Sequence, residues 1–538
     1  MCGISGEISF SKHADVHSIL AMGESLKHRG NDGTFNYVKD NIAISFNWLA
    51  ITDKSSPPPI KHGKWVVWLN GEVYNYLELK KQFISDKVSI SDCTEEFIEF
   101  SKFSTKSDTE VVAIGIEKEG LGFIKKLNGI FVIVAYNTES HTLHIARDRF
   151  GAKQIYYYST PTNFIFASEP KAFLKHKDYS FDINKNAVGQ WLTYQNYFSD
   201  EILFDKIKLL QPGTIIHCLP VPIKETYHKW EFSEDDISVE DIKQSVAKTC
   251  ALQRPEESLG LWLSGGLDSS ILAMEMNPEY CITAGWEEKE YDERKASEIV
   301  SYSLKGIHQQ IFLKPNNYIE CFEDTIRALD DLRAGPSWSN FILNKVISKH
   351  CRITIQGTGA DEFFGGYQWR YDEPDYYKII DRTKFKNGFI KNDFLCPNLP
   401  KNIHDRYEFD VKHFLQGILI VGDRLSMAHG LEERVPFLDN DLCEMALKIK
   451  LKDKHNKNIL RKAFNNIPNT KKKGFTSPDK IWYQRELHVY AEKLLHSKNL
   501  DEYIDKKQLP EIIKNNNAPA LWSLLALDAW IKIYAHEK

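Results

Sequence analysis

The sequence predicts two folded regions: an α+β sandwich of antiparallel sheets flanked by helices, and then an α/β parallel-sheet domain with a helical C-terminal part. Short β-branched or aromatic runs, cut by turns, dominate residues 1–212 and are typical of antiparallel strands. Beyond residue 241, buried strand-like runs alternate with helical stretches, which is typical of a parallel sheet with helices on both faces. A change of composition separates the two regions.

The sandwich prediction for the first region rests on six strand-like runs. They are AISFNWLAI, KWVVWLNGEVY, GIFVIVAYN, HTLHIARD, IYYYS and NFIFAS. The segment from Ser18 to Lys27 instead has the apolar spacing of a helix, so we expect helices to cover the sheets. Residues 84–107 are polar and irregular, and they are predicted to form a surface insertion.

A junction follows, in which Pro212-Gly213, Pro220 and Pro222 precede an acidic run from Glu231 to Asp241. After it, LGLWL (259–263) is a buried strand that continues directly into SGGLDSS and the helical ILAMEM. CITAGW and RITIQG are two further buried strands, and the tail from residue 410 onward is mostly helical. The predicted domains are therefore residues 2–212 and 235–538.

Composition excludes several classes of protein. The 538 residues are 42% hydrophobic and 27% charged, which is ordinary for a folded chain, and 69 basic against 74 acidic residues leave a net charge of −5. That balance does not favour nucleic acid or an anionic membrane as a partner. The longest strong apolar run, 130–136, is far below the ~18 residues of a membrane span, and MCGISGEISF is no secretory signal. Nine scattered cysteines without a C-x-x-C pair predict neither disulfides nor zinc, so we expect a cytoplasmic protein.

A cysteine at position two is the first candidate for chemistry. Removal of Met1 would leave Cys2 with a free α-amine, whose reference pKa of ~7.7–8.0 suits it to act as a general base for its own thiol. Taken alone, Cys2 is more simply explained as a small buried residue at a chain end. The motifs that follow it reverse that preference.

Five motifs follow one another in order through the first region. They are MCGISG, HRGND (28–32), LNGEVYN (69–75), SDTEV (107–111) and RDRFGAKQIYY (147–157). With them the region resembles the class II glutamine amidotransferases, the N-terminal-nucleophile family. The resemblance implies that the Cys2 thiol attacks the side-chain amide of glutamine and releases ammonia.

The resemblance also implies roles for four further residues. Asn70 and Gly71 would form the oxyanion hole, with one side-chain amide and one backbone N–H, and loss of one such donor typically costs ~10²–10³ in rate. Glu72 and Asp108 would hold the α-amine of glutamine. The alternative explanation for these two acids is that they are solvated surface carboxylates.

The segment SGGLDSS is the second candidate, because it lies between a buried strand and a helix. Its glycines let backbone N–H groups approach an anion, its hydroxyls donate, and the helix N-terminus adds its dipole. It lacks the G-K-[ST] ending of a Walker loop. It resembles the pyrophosphate loop of the N-type ATP pyrophosphatases, which implies that ATP is bound by Ser264, Gly265, Gly266, Asp268 and Ser269.

Further motifs downstream strengthen this assignment. They are EYDER (290–294), GTGADEFFGGY (357–367), DRLSMAHGLEERVPFLD (423–439), NILRKAF (458–464) and KKKGF (471–475). With the first region, they make essentially the whole chain similar to the glutamine-hydrolysing asparagine synthetases. The resemblance implies that Asp268 and Asp361 are oxygen ligands for Mg²⁺. It further implies that Lys472 neutralises charge at the α-phosphate and that Gly357 belongs to the ATP site.

The chain departs from the family pattern beside the predicted glutamine site. Asparagine synthetases carry an arginine in a stretch like R-L-S-I-V-D, where it grips the α-carboxylate of glutamine, and this chain has Trp48 there, in W-L-A-I-T-D. Tryptophan cannot form a bidentate pair with a carboxylate. Either another cation, such as Lys54, replaces the arginine or glutamine binds weakly.

Two more departures concern the acceptor. Thr358 stands where relatives with S-G-E-G-S-D-E have an acid. Asp330 and Asp331 begin the segment DDLRAG, which replaces T-T-x-R-A-S, and they would repel an aspartate unless Arg333 compensates as an acceptor-binding residue. A three-residue set (Arg424, Glu432 and Arg434) is predicted either to line the site or to form a structural ion-pair network.

The leading interpretation is a two-site enzyme. Glutamine hydrolysis in the first domain releases ammonia, which is channelled to the second, where ATP and Mg²⁺ convert aspartate into an acyl-adenylate that ammonia turns into asparagine. A related amide ligase with another carboxylate acceptor and a non-catalytic homologue remain alternatives. The expected partners are the small molecules glutamine, ATP and aspartate, without nucleic acid or membrane, and the resemblance allows a homodimer.

Overall fold

The computed structural model of the protein describes residues 2–11, 13–85, 103–467 and 477–535. Most of the predicted surface insertion at 84–107 and the whole of KKKGF, including Lys472, lie outside those residues. The chain divides into two compact units, one of Met1–Asp178 with Leu209–Lys229 and one of Tyr179–Lys208 with Trp230–Lys538. Among the described residues, no helix has both the length and the apolar character that crossing a membrane requires.

The first unit contains two antiparallel sheets. In the described residues their strand orders are β10-β8-β9-β1-β3-β2 and β12-β11-β7-β6-β5-β4, and the neighbours from β8 to β2 and from β12 to β4 pair antiparallel. The strands are β1 (Gly3–Ser9), β2 (Gly33–Lys39), β3 (Ile42–Trp48), β4 (Ile60–His62), β5 (Trp65–Val73), β6 (Gly129–Asn137), β7 (Thr142–Arg147), β8 (Tyr156–Ser159), β9 (Asn163–Ala167), β10 (Lys208–Leu209, at the boundary between the units), β11 (Thr214–Cys218) and β12 (Ile223–Thr226). The α-helices are α1 (Val16–Ser25), α2 (Tyr76–Ser85) and α3 (Asp108–Glu119), and short 3₁₀ turns cover Lys27–Arg29, Gly120–Lys126 and Pro170–Lys175.

Strand β5 shows how the sandwich is built, because successive side chains of a strand point to opposite faces. Val66 and Trp68 enter the core between the two sheets, which also contains Ile44 from β3. Val67 and Leu69 enter a second core on the outer face, beneath α3. Full burial of each such side chain contributes ~1.5–3 kcal/mol. Helix α1 packs against β1 and β3 of the other sheet, so the predicted sandwich with flanking helices is confirmed.

The second unit contains a parallel sheet of order β15-β14-β13-β16-β17 in the described residues. Its strands are β13 (Leu259–Trp262), β14 (Tyr280–Gly285), β15 (Ile307–Phe312), β16 (Ile353–Ile355) and β17 (Glu432–Arg434). Its helices are α4 (Lys185–Tyr194), α5 (Val239–Gln253), α6 (Leu267–Met276), α7 (Arg294–Ser301), α8 (Pro315–Leu329), α9 (Trp338–Ile347), α10 (Ala360–Phe364), α11 (Gln368–Tyr371), α12 (Tyr377–Ile380), α13 (Ile403–Phe409), α14 (Leu415–Met427), α15 (Asn440–Leu447), α16 (Leu451–Lys454), α17 (Asn458–Ala463), α18 (Asp479–Trp482), α19 (His488–His496), α20 (Leu509–Lys514) and α21 (Ala518–Tyr534). A π-helical turn covers Asp410–Phe414, and 3₁₀ turns cover Pro436–Leu438, His455–Lys457 and Lys506–Gln508.

The strand order of this sheet reverses direction at β13, which marks a candidate ligand site. From β13 the chain moves outward to β14 and β15, and it then returns to place β16 and β17 on the other side of β13. In open parallel sheets, ligands bind beyond the carboxyl ends of the strands at such a switch point. SGGLDSS follows β13 and GTGAD follows β16, so both predicted ATP-site motifs lie at this point.

Strand β17 lies within the tail that was predicted to be mostly helical, and the helices α14–α21 around it agree with that prediction. Its sequence, Glu432-Glu433-Arg434, has no apolar residue, yet all three side chains are buried. Arg434 pairs with Glu432 at 2.7 Å, and the Gln356 side chain donates to Glu433 at 2.7 Å. Burial of charge at a strand is possible when each charge has a partner, and the hydrophobic pattern of the sequence cannot show this.

The extents of the two units differ from the predicted segments 2–212 and 235–538. Residues 179–208 belong to the second unit because α4 packs on the buried helix α21. The Trp191 indole donates to the Ser523 carbonyl at 3.0 Å, and the Gln195 amide donates to the Ser523 hydroxyl at 3.0 Å. Residues 209–229 return to the first unit, where β11 pairs with β7.

Candidate functional site

Cys2 lies at the start of β1 and is almost fully buried, with 5% of its surface exposed. Its backbone nitrogen, which removal of Met1 would convert to the α-amine, donates to Asn70 Oδ1 at 2.8 Å. The Leu49 backbone N–H donates to the thiol sulfur at 3.4 Å. The structure therefore brings together Cys2 and Asn70, which are 68 positions apart in sequence.

Asn70 follows Val66 and Trp68 on the inner face of β5, which explains why it reaches Cys2. Because Oδ1 accepts from the Cys2 nitrogen, Nδ2 is directed elsewhere, and this buried donor has no hydrogen-bond partner among the described residues. Gly71 has φ +135°, and a Cβ there would lie 2.0 Å from the Ile130 carbonyl oxygen, so only glycine fits. Asn70, which contacts the Cys2 backbone, thus offers a buried side-chain donor, and Gly71 has a backbone conformation that other residues could not adopt.

Glu72 lies on β5 two residues after Asn70, and Asp108 contacts the next residue of that strand, Val73. The Thr52 hydroxyl donates to Glu72 Oε2 at 2.5 Å, and the Val73 backbone N–H donates to Asp108 Oδ2 at 2.9 Å. Both carboxylates are buried, with 7% and 5% exposed, which argues against the alternative that they are solvated surface acids. Thr52 was missed by the sequence analysis.

An ion pair braces the chain at Cys2 and was also missed. Arg29 is fully buried, donates from Nε to the Cys2 carbonyl at 3.1 Å and pairs with Glu169 at 2.8 Å. His28 and Lys171 contact the same carboxylate. Burial lowers the pKa of His28, more than Glu169 raises it. The motif HRGND was visible in sequence, but its partner Glu169 is 140 positions away.

Trp48, which replaces the arginine of the family pattern, is the last residue of β3 and packs against the core between the two sheets. Its ring meets Phe35 edge-on at 5.9 Å between centroids. The next residue, Leu49, is the one that contacts the Cys2 sulfur. Lys54 lies on an exposed loop two residues after Thr52.

In the second unit, SGGLDSS forms the turn between β13 and α6. The Ser264 and Ser269 hydroxyls are 3.0 Å apart, and the Gly266 N–H donates to Ser264 Oγ at 3.2 Å. Gly265 has φ +73°, where a Cβ would collide with the backbone of α7 at 2.3 Å. Gly266 begins α6 without a side-chain cap, so the positive helix end remains available to an anion.

The two predicted magnesium ligands converge at the switch point. Lys457 Nζ lies 2.5 Å from Asp268 Oδ2 and 2.7 Å from Asp361 Oδ1, so both carboxylates meet one cation. Asp268 Oδ1 is buried and has no hydrogen-bond partner among the described residues. Gly357 is also here, because a Cβ on it would lie 2.8 Å from Asp268 Cβ. Two hard oxygen donors and an orphaned carboxylate oxygen fit a divalent cation such as Mg²⁺.

Glu362, next to Asp361, is buried and accepts from the Tyr367 hydroxyl at 2.8 Å. Burial, with a smaller contribution from Asp361, raises the pKa of Glu362 to about 7. Sequence analysis did not single out Glu362 or Lys457. The signal for Lys457 was its place immediately before NILRKAF.

The acceptor candidates take part in buried ion pairs and hydrogen bonds. Arg333 donates from Nε to Asp331 at 3.1 Å and from Nη1 to Asn196 at 3.2 Å, and Arg424 pairs with Asp330 at 3.1 Å. Asp330 and Asp331, whose charges were expected to repel an aspartate, therefore each have an arginine partner. Arg333 Nη2 is buried without a hydrogen-bond partner among the described residues.

Arg424, Glu432 and Arg434, which were predicted either to line the site or to form an ion-pair network, all take part in buried ion pairs. Arg434 pairs with Glu432 and donates to the Gln253 carbonyl at 2.8 Å. Together with the Arg424–Asp330 pair, these contacts form buried ion-pair networks. Lys472 lies outside the described residues, and its role stays a prediction.

Comparisons with known proteins agree with the two units. The family model for asparagine synthase matches residues 240–532, and the model for a glutamine amidotransferase domain matches residues 1–228. A Bacillus subtilis protein named asparagine synthetase (glutamine-hydrolysing) 1 is 26% identical over 629 residues, covering 99% of this chain and 97% of the relative. A Methanocaldococcus jannaschii protein named putative asparagine synthetase (glutamine-hydrolysing) 1 is 28% identical over 497 residues, covering 84% and 81%.

Among solved structures, a glutamine phosphoribosylpyrophosphate amidotransferase of B. subtilis is 15% identical, and the match covers 67% of this chain and 77% of that chain. The TM-score of this match is 0.30. The asparagine synthase model, by contrast, spans more than half of the 538 residues. The chain therefore belongs to the asparagine synthase family.

Proposed function

We propose that the protein is a glutamine-dependent asparagine synthetase. The observation that carries the proposal is the convergence of Asp268 and Asp361 beside the SGGLDSS turn, in a chain of this family that also pairs Cys2 with Asn70. The two carboxylates, Asp268 and Asp361, suit an ATP-dependent activation step. The contact between Cys2 and Asn70 suits the release of ammonia from an amide.

In the first unit, the Cys2 thiol attacks the carboxamide carbon of glutamine, and its proton passes to the α-amine formed by loss of Met1. Asn70 Nδ2 then donates to the developing oxyanion, which explains why this buried donor has no hydrogen-bond partner within the described ranges. The protonated α-amine passes the thiol proton to the amide nitrogen, ammonia leaves, and water cleaves the thioester to give glutamate. One preorganised donor of this kind is worth ~10²–10³ in rate. The buried acids Glu72 and Asp108 hold the positive α-amine of the substrate.

In the second unit, an oxygen of the acceptor carboxylate attacks the α-phosphorus of ATP, and pyrophosphate leaves. The SGGLDSS turn and the N-terminus of α6 bind the departing phosphates. Asp268 and Asp361 would hold Mg²⁺, which supplies charge neutralisation for the triphosphate when bound. Ammonia then attacks the acyl carbon, AMP leaves, and a proton is lost to give the amide.

Aspartate is the proposed acceptor because Arg333 offers a buried guanidinium whose Nη2 has no hydrogen-bond partner in the part of the chain that the structure describes. A carboxylate at that donor would form a charge-assisted hydrogen bond, which is about twice as strong as a neutral one. Asp330 and Asp331 do not oppose this, since Arg424 and Arg333 pair with them.

A second candidate is an amide ligase with a different carboxylate acceptor. Thr358 favours it, because a hydroxyl replaces the acid that relatives resembling S-G-E-G-S-D-E place there. The two candidates share all chemistry except the acceptor. They therefore differ in which carboxylic acid supports the exchange of label between pyrophosphate and ATP.

The test is to incubate the purified full-length protein with ATP, Mg²⁺, glutamine and aspartate and to identify products by mass spectrometry. We expect asparagine, AMP, pyrophosphate and glutamate. Pyrophosphate exchange with another acid but not with aspartate would favour the second candidate. No exchange with any acid tested would contradict both candidates and support a non-catalytic homologue.

A further inference from the structure

Lys457 is the most unusual member of the ATP-site cluster, because its ammonium lies between the two carboxylates themselves. The side chain is 4% exposed, and its Nζ contacts Asp268 and Asp361 at 2.5 and 2.7 Å. One positive charge is thus enclosed by two negative ones. The position is the one that a divalent cation shared by these carboxylates would occupy.

The backbone on both sides is shaped for this contact. Asn456 and Lys457 are consecutive residues with φ +51° and +56°. Asparagine tolerates this left-handed conformation, whereas for a lysine it costs ~1–3 kcal/mol. Across from them, a Cβ on Gly366 would lie 2.4 Å from Lys457 Cε and 1.7 Å from Asp361 Oδ1. The chain therefore accepts an unfavourable turn and requires a glycine where the lysine meets its partners.

We propose that Lys457 is an internal counter-cation, a positioning residue that keeps Asp268 and Asp361 paired and weakens the binding of free divalent metal ions until a nucleotide arrives. The inference rests on the proposed function only in taking these two acids as the metal ligands. Mg²⁺ requires oxygen ligands at ~2.0–2.1 Å, so the ammonium cannot stay between both carboxylates when the ion is held there.

Displacement of Lys457 needs a new partner for its charge. Beside a bound dication, a buried ammonium without an anion would be strongly unfavourable. The phosphates of a nucleotide supply that anion, so metal and nucleotide should bind with positive coupling. Such coupling is reciprocal: the metal must raise nucleotide affinity by the same factor by which nucleotide raises metal affinity.

The experiment measures the binding of Mn²⁺ to the full-length protein without nucleotide, from the electron paramagnetic resonance signal of free Mn²⁺. We expect Lys457→Met to bind Mn²⁺ at least ~10-fold more tightly than the wild type, and Lys457→Arg to show no such gain. Lys462→Met is the matched control, because it removes one lysine charge from an exposed pair with Asp453. It should leave Mn²⁺ affinity unchanged.

A second measurement adds a non-hydrolysable ATP analogue. In the wild type the analogue should raise Mn²⁺ affinity, and in Lys457→Met this factor should shrink. If the Met variant does not fold, Lys457→Gln, whose amide can still donate to one carboxylate, is measured instead. Equal Mn²⁺ affinity in the wild type and a folded Met or Gln variant overturns the inference, as does an equal gain in Lys462→Met.

The outcome is distinguishable from failure of the proposed function. Tighter Mn²⁺ binding in Lys457→Met, reversed by a further Asp361→Asn change, supports the counter-cation even if no carboxylic acid gives pyrophosphate exchange. Normal asparagine synthesis by the wild type with unchanged Mn²⁺ affinity in the variants refutes the counter-cation alone.

Discussion

Restoring an arginine at Trp48 tests the departure closest to the thiol. Trp48 ends β3 on the same face as Phe46, which is part of the core that contains Cys2, and its neighbour Leu49 contacts the Cys2 sulfur at 3.4 Å. A guanidinium at this place would offer a planar fork matched to the α-carboxylate of glutamine. We expect Trp48→Arg to lower the KM for glutamine and to leave ammonium-dependent synthesis unchanged.

The magnitude follows from one gain and one loss. A charge-assisted hydrogen bond contributes ~1.5–3 kcal/mol, which corresponds to a KM lower by ~10–100-fold. The substitution removes the edge-to-face contact with Phe35, at 5.9 Å and 75°, which contributes ~0.5–1.5 kcal/mol to folding. Domains are commonly stable by ~5–15 kcal/mol, so the variant should still fold.

The assay follows glutamate release over a range of glutamine concentrations, with ammonium-dependent synthesis measured on the same preparation. Trp48→Phe is the control, because it keeps an aromatic ring and adds no charge, and its KM should stay near that of the wild type. An unchanged KM in a folded Trp48→Arg protein would refute the reasoning. A raised KM in Lys54→Met would then identify that exposed lysine as the group that holds the carboxylate.

Three further predictions concern the thiol, the carboxylates and a buried acid. Cys2→Ala should abolish glutamine-dependent synthesis and spare synthesis from ammonium; a folded variant that loses both would contradict the two-site assignment. Asp268→Asn or Asp361→Asn should suppress synthesis from either nitrogen source, since a neutral amide is a poorer ligand for a hard cation, and near-normal pyrophosphate release would refute the metal assignment. Burial raises the pKa of Asp479 from 3.8 to about 6, so its ionised form lowers the free energy of unfolding by up to ~3 kcal/mol above pH ~6 and has no such effect below pH ~4. Urea midpoints should therefore show Asp479→Asn more stable than the wild type at pH 8 and equally stable at pH 4; an equal difference at both pH values would disagree with titration of Asp479.

The predictable parts of the fold are those in which the apolar pattern of a short segment is enough to identify a strand and the direction of its side chains. The strand LGLWL followed by SGGLDSS predicted both β13 and the turn at its carboxyl end, and the structure has them there. The alternation along β5 places Asn70 on the face of Trp68, which is why a motif residue reaches Cys2. In both cases a local rule of side-chain direction was sufficient.

The parts that were not predictable depend on partners far apart in sequence. Strand β17 consists only of charged residues, and it is buried because Gln356 and internal pairing satisfy those charges. Arg29 is braced by Glu169, and Lys457 reaches Asp268 across 189 positions. The left-handed conformation of Lys457 does not follow from its residue type, although the preceding Asn456 is of a type that tolerates this conformation. Pairings of this kind arise only when the tertiary fold brings the elements together.

A buried polar atom that lacks a hydrogen bond at either site can be interpreted only from the contact that the other polar atom of the same side chain makes. The buried indole N–H groups of Trp65 and Trp68 also have no hydrogen-bond partner among the described residues, so such an atom does not by itself mark a site. Asn70 differs because its Oδ1 is fixed by the Cys2 nitrogen, which determines the end of the amide that remains for a ligand. Asp268 differs in the same way, because Lys457 contacts Oδ2 while Oδ1 has no hydrogen-bond partner among the residues that the structure describes. In each unit one atom of a polar group is anchored by the protein, and the other is left for chemistry at a cost of ~1–3 kcal/mol that a bound substrate or ion would remove.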